Sequence, residues 1–369
     1  MKLRSLPFFF LAVQVTVISS CTKPKPDPQN YTRDDRHFYD LGGNEAATCM
    51  MPLGENNLLF IQSSTVSYHL LLVDPWGKEI SRKEYPMSPS QFVAETMVDM
   101  DNGKFLLAGN LDGHPAYCLS DTSASLPLQF QSQSEEGRWY DATRNGNDFY
   151  LCGQLEVNGD WQVYMGKIEP GGQMTDTLTF GTSAADGGID LMVSEGKTYL
   201  LAFSYGLGKG DRDIWVMETG SDLSPSNQKA YGGTGYDQPE QLLAAHGAIY
   251  LCGHTTSFGD PMHDVHMLCL EKDLSLRWEK NVARDGHEGA DDMALLPNGN
   301  IAWCSYGELP VNLGYFGIMT PEGQTLYQYK SADYDRFFRV RAYKDNLLFL
   351  GSSEIGLGKD VSLRGISYP

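Results

Sequence analysis

Residues 149–154 read FYLCGQ, and one hundred residues later 249–254 read IYLCGH. A cysteine and a glycine returning in one hydrophobic frame are either a matched pair of functional thiols or two copies of a structural unit. The frame itself decides. It recurs as LLFIQ (58–62), FLLAG (105–109), TYLLA (198–202), IAWCS (301–305) and LLFLG (347–351), so that seven copies start 44 to 52 residues apart. Copies three, five and six carry Cys152, Cys252 and Cys304 where copy four carries Leu201. A ligand position would not accept leucine in the same series, so these thiols are expected to be small core residues. Cys118 and Cys269 share a second equivalent position, and residues in separate repeats are too far apart to pair as disulfides.

Each copy follows a turn rich in Gly, Asn or Asp, such as NGND, SEGK or PNGN, the chemistry of tight hairpins. Downstream lies a third apolar run, DIWVMET or DVHMLCLE, then a Pro/Gly turn and in most copies a fourth run. Four short antiparallel strands, A to D, per repeat of about 48 residues are the content of one propeller blade. The expected fold is therefore all-β, a seven-bladed β-propeller with four antiparallel strands per blade. Its last repeat stops after strand C at Pro369, and the N-terminal stretch FYDLGGNEAA (38–47) resembles a strand D with its exit loop. That segment is expected to close the last blade and remove the open edge.

The blade YGGTGYDQPEQLLAAHGAIYLCGHTTSFGDPMHDVHMLCLEKDLSLRWEK resembles the seven-bladed propeller repeats of bacterial secreted and surface proteins, with their Gly-Gly-x-Gly-x-Asp lead-in and Asp-led strand C. The resemblance covers nearly all of the chain after its N-terminal segment. It departs in blades one, two and six, where strand C lacks the leading Asp of Asp213, Asp264 and Asp360. It implies the fold and a binding or scaffolding role, and carries no shared catalytic residue.

Residues 1–20 have the pattern of a signal peptide: Lys2 and Arg4, an apolar core, then small residues. VISSC (17–21) resembles a bacterial lipobox, which implies that Cys21 is lipidated, palmitate included, and anchors the chain to a membrane. Residues 21–34, polar and with three prolines, read as a tether, and 35–369 as the propeller. Thr22 is not an aspartate, so an outer-membrane anchor in the cell envelope is expected, its face undetermined. Lys+Arg 28 against Asp+Glu 47 gives a formal charge of −19, which excludes nucleic acid as a partner.

Three constellations point to function. His254, His263 and His287 fall on loops that propellers place on one face, near Asp260 and Asp285, and could hold a divalent cation through imidazole and carboxylate ligands or be solvated loop histidines. His246 belongs to the opposite face. Glu95, Asp141, Asp190, Glu240 and Asp292, with Glu45 a further candidate, recur near the start of strand A and suggest an acidic channel mouth. Trp139, Tyr140, Trp161, Tyr205, Tyr236, Phe258, Tyr306 and Tyr334 collect on the same face, where rings beside carboxylates suit a sugar or a peptide. GLGKG (206–210) and GLGKD (356–360) mimic phosphate loops, but no helix follows to supply an anion site. Together these favour a lipid-anchored binding or scaffold module that takes a protein partner or glycan through the D-to-A and B-to-C loops, chiefly by Trp139, Asp141, Tyr205, Asp190, Tyr236, Glu240 and Asp292, with no obligatory cofactor. The alternative is a polysaccharide lyase or hydrolase using the blade-five histidines.

Overall fold

The computed structural model describes residues 33–41, 44–63, 67–86, 92–101, 103–122, 128–258, 262–282, 286–307, 313–331, 335–353 and 359–368. The signal, the lipobox with Cys21 and most of the tether therefore lie outside the described residues, as do Asp260, Asp285 and Tyr334.

Seven four-stranded antiparallel sheets form the ring, and among the described residues there is no helix. Strands A of the seven blades are Glu45–Leu53, Phe92–Asp99, Gly137–Asn145, Asp186–Ser194, Asp237–Ala245, Glu288–Leu295 and Asp335–Ala342. Strand D of blade seven is Asp34–Tyr39, which pairs antiparallel with Asp360–Ser367, so the N-terminal strand closes the ring as expected. Its core pairing lies slightly upstream of the segment singled out in the sequence. Blade two has the thinnest edge, a strand D of two residues, Gln131–Ser132.

Local chemistry explains the strands. Several hairpins turn on two consecutive residues in the left-handed region, such as Glu195–Gly196 and His246–Gly247, the type I′ geometry that matches strand twist. Every strand A carries a bulge or register irregularity against strand B, for example between Trp139 and Asp141 and between Pro239 and Gln241. The bulge drives a strand A carbonyl onto strand B, and this accounts for the glycine of the repeated frame. A Cβ on Gly153 would sit 1.9 Å from the Arg138 carbonyl oxygen, and one on Gly253 equally close to that of Gln238. The cysteine beside it is core filler: Cys152, Cys252 and Cys304 are fully buried, as is Leu201, and all six described cysteines are free thiols.

The Gly-rich lead-in of each blade has a related origin. The first residue of strand A and of strand C lie in register across blades four, five and seven as Asp186–Ser204–Asp213, Asp237–Thr255–Asp264 and Asp335–Ser353–Asp360. Asp213 accepts the amides of Lys209 and Gly210 at 3.1 and 3.0 Å, so the backbone of GLGKG is spent on an internal carboxylate. A Cβ on Gly232 would lie 2.2 Å from Asp213 Oδ1 and 2.6 Å from Asp237 Oδ2, so only glycine leaves room for this acid pair between blades.

Candidate functional site

The bulges set what lines the centre. In blades two, three, five and six the bulged residues are Glu95, Tyr140, Glu240 and Asp291, and the residues that follow are Thr96, Asp141, Gln241 and Asp292. The acids that the sequence places in one ring thus belong to two registers. Both contribute to a cavity of about 250 Å³ reached by side chains of all seven blades.

The second register is an interblade lock. Asp141 accepts the Leu191 amide at 3.0 Å, Asp190 that of Leu242 at 2.6 Å, and Asp292 that of Val340 at 2.8 Å. Gln241 does the same without charge, its amide oxygen accepting the Met293 amide at 2.7 Å. Thr96 donates to Asp141 at 2.9 Å. Burial raises the Asp141 and Asp190 carboxyls above the ordinary range, and the two share a hydrogen bond. Burial also raises Asp292, against the pull of Arg341 at 3.4 Å. These three aspartates hold blades together through backbone amides, and the channel is not simply acidic, because Arg339 and Arg341 line it too. Burial opposes the Arg339 charge, yet Asp292, Asp291 and Asp141 outweigh it and hold its pKa above the usual value. Glu45 is absent from this lining. It sits at the junction of blades seven and one.

At the mouth on the D-to-A side, Tyr236, His254, His263 and His287 converge. The rings of His254 and His263 stack at 4.6 Å and 17°, Tyr236 lies 5.8 Å from His263 at 4°, and His287 meets His263 edge-on at 5.1 Å. Burial, then His263 and Arg212, push His254 down to about 3, so it is neutral at physiological pH. Its Nδ1 is buried without a hydrogen-bond partner and stands 3.9 Å from Glu240 Oε1. Burial raises Glu240 to about 7, opposed by Arg339 and Arg212. Imidazole lone pairs lie in the ring plane, so two nearly parallel rings cannot bind one ion at the ~2.0–2.1 Å zinc requires unless one rotates.

Beside the cluster opens a groove of about 440 Å³ lined by Tyr140, Gln154, Trp161, Ala185, Phe203, Tyr205 and Arg212. The Arg212 guanidinium lies over the Phe203 ring at 3.5 Å and within 5.6 Å of Tyr205 and 5.2 Å of Tyr236. Its backbone bridges Tyr236, its carbonyl accepts the Asp237 amide at 2.8 Å, and its guanidinium donates to the Tyr236 hydroxyl. Arg212 Nε is buried and finds no acceptor, and no carboxylate lies within ion-pair distance among the described residues.

The candidate residues thus separate. Tyr205, Tyr236, Tyr140 and Trp161 share the groove or its rim, and the three histidines share the mouth. Trp139 does not reach the face: it is fully buried, stacked on Tyr164 at 4.3 Å, with Gly166 beneath it. His266 is a buried strand residue bonded to Glu279 at 2.8 Å, with Phe258 5.5 Å away. Tyr306 lies under Arg336 at 4.2 Å, and His246 bonds the Gly299 carbonyl on the opposite face at 2.6 Å. Sequence reasoning missed Arg212, Arg339, Arg341 and Asp291. A cation next to an Asp-led strand C in a chain this acidic was the available signal for Arg212.

No protein-family model matches this chain, and no curated protein matches it. Solved structures do. One is the polysaccharide lyase Uly1, 11% identical over 94% of this chain and 94% of that one, with a TM-score of 0.55. Another is a catalytically inactive virginiamycin B lyase from Staphylococcus aureus with quinupristin, 8% identical over 91% and 100%, TM-score 0.59. A third is a quinonprotein alcohol dehydrogenase-like protein from Bacteroides thetaiotaomicron, 10% identical over 79% and 68%, TM-score 0.51. At such identities they establish the propeller fold alone.

Proposed function

We propose that this chain is a lipid-anchored envelope protein, held to the outer membrane through Cys21, whose propeller binds an acidic glycan in the groove between Trp161 and Tyr236. The observation that carries this is Arg212. A guanidinium held 3.5 Å over an aromatic ring, with no carboxylate partner among the described residues, is a cation suited to a carboxylate. Trp161, Tyr140 and the 44%-exposed Tyr205 supply flat faces for sugar rings around it. A cation without a carboxylate partner among the described residues, on a chain carrying −19, favours a carboxylated sugar over a neutral one. Calorimetry with uronic-acid oligosaccharides against neutral oligosaccharides of equal length tests this. Arg212→Gln should weaken the acidic ligand about tenfold or more, the worth of a charged hydrogen bond, while Trp161→Ala weakens both. Binding of a purified envelope protein that survives Arg212→Gln would favour a protein partner instead.

The histidine cluster supports a second reading, in which the same groove cleaves its ligand by β-elimination. Arg212 would neutralise the uronate carboxylate, an imidazole of the cluster would take the proton α to it, and the β carbon–oxygen bond would then break, its departing oxygen protonated from water. Two of the solved neighbours are lyases, which makes the assay worthwhile. Growth of ultraviolet absorbance from an unsaturated sugar end would establish it, and its absence with tight binding would leave the binding role.

A further inference from the structure

We propose that Asp40, Glu45 and Asp360 form a calcium site that locks the closed ring at the junction of blades seven and one. Carboxylate oxygens of the three residues lie within 4.8 Å of one another, and this is the one such group among the described residues. An ion with bonds of about 2.4 Å, within the calcium range of about 2.3–2.6 Å, bridges two oxygens up to about 4.8 Å apart, so this spacing admits a single cation.

The comparison with the junction of blades four and five shows what is unusual here. There most oxygens of the acid pair Asp213 and Asp237 meet donors, the Lys209 and Gly210 amides on Asp213 Oδ2 and, on Asp237, the Gly233 amide at 2.8 Å, the Ser257 hydroxyl at 2.7 Å and the Thr255 hydroxyl, which leaves Asp213 Oδ1 alone without one. Asp360 and Glu45 occupy the same places at the closing junction, the first residue of strand C and the first of the next strand A. Yet Glu45 is only 4% exposed, and neither of its carboxylate oxygens accepts a hydrogen bond among the described residues. Instead a third carboxylate, Asp40, arrives directly after the closing strand. A buried acid left without donors beside two more oxygens is short of positive charge, not of acceptors. An all-oxygen, all-carboxylate set selects a hard cation.

The backbone around the site is already tied: the Glu45 amide donates to the Lys359 carbonyl at 2.9 Å, and the Lys359 amide to Asn44 Oδ1 at 3.1 Å. An ion here would bind the end of the closing strand, the start of blade one and the start of the last strand C at once. Ring closure would become calcium-linked, independently of any glycan.

Equilibrium dialysis and thermal melts of the full chain stripped with a chelator test this. The expected result is one calcium per chain and a melting temperature raised by roughly 4 °C at a hundred times the dissociation constant. Glu45→Gln and Asp360→Asn should lose both effects while melting at or above the stripped wild type, because they relieve the same repulsion. Three results would each overturn the site: no calcium bound by wild type, an undiminished response in Glu45→Gln, or equal stabilisation by sodium chloride at matched ionic strength. Magnesium matching calcium would overturn the assignment to calcium.

Discussion

Replacing Arg364 by methionine should loosen the closed ring at its seam. Arg364 is 5% exposed and binds Asp34 of the closing strand with two nitrogens, at 2.8 and 2.6 Å. It also donates to the Ser331 hydroxyl at 2.9 Å and the Tyr329 hydroxyl at 2.7 Å, and stands 3.4 Å from fully buried Asp335. Breaking a buried charge pair from one side costs about 3–5 kcal/mol, because the partner is left uncompensated. Asp34 is one-third exposed and Asp335 keeps Arg36 at 3.4 Å, which places the cost at the lower end, about 3 kcal/mol. With about 2.1 cal/mol/K of unfolding entropy per residue over roughly 330 residues, the melting temperature should fall by about 4 °C. Arg277→Met is the control: it removes a doubly bonded but exposed pair with Glu271 and should shift the melt by less than about 1 °C. Pairing Arg364→Met with Asp34→Asn should recover part of the loss, since no stranded charge then remains on the strand. Differential scanning calorimetry of the four proteins reads all of this. A melt of Arg364→Met indistinguishable from the control would refute the anchoring of the N-terminal strand by this guanidinium.

Asp190→Asn should leave stability within about 1 kcal/mol of wild type, since Gln241 shows that an uncharged oxygen suffices, whereas Asp190→Ala strands the Leu242 amide and should cost about 1–3 kcal/mol by urea denaturation. Leu274 sits at a positive φ of 63° in a turn where other blades use Gly77 or Gly172, but it is fully buried; Leu274→Gly should destabilise by about 1–2 kcal/mol, the lost burial exceeding the relieved strain. Glu240, raised to about 7, holds its proton in the folded chain over a range where the unfolded chain has lost it. Its contribution is therefore full below about 4.5 and is lost as the pH rises through 7, so Glu240→Gln should match wild type near pH 4 and exceed it by about 3 kcal/mol at pH 8. Equal stability of the two proteins at pH 8 would contradict the burial of that carboxyl at the channel.

The ring was legible because seven copies of one strand outvote any single ambiguous one, and because a missing last strand must be supplied from the other end. The site was legible only by face. Asp141 and Glu240 look equivalent in sequence, but one bulge residue separates a clamp on the next blade from a side chain in the cavity, and strand periodicity does not announce a bulge. Trp139 failed for a related cause: its burial depends on Gly166 two strands away, which makes room for the indole. Arg212 went unseen because its meaning lies in what it lacks, a carboxylate partner, and that is a property of packing. The histidines were found by clustering, but the burial that makes His254 neutral and the stack that makes it poorly suited to chelation needed the strand B register of blade five.

The binding role rests on one cation, so its most direct measurement is titration calorimetry of the wild-type protein and Arg212→Gln with a uronic-acid oligosaccharide and its neutral counterpart. Expected is heat-releasing saturation by the acidic ligand alone or preferentially, weakened about tenfold or more by the substitution. No binding of the acidic ligand, or equal affinity for both ligands unaffected by Arg212→Gln, would contradict it.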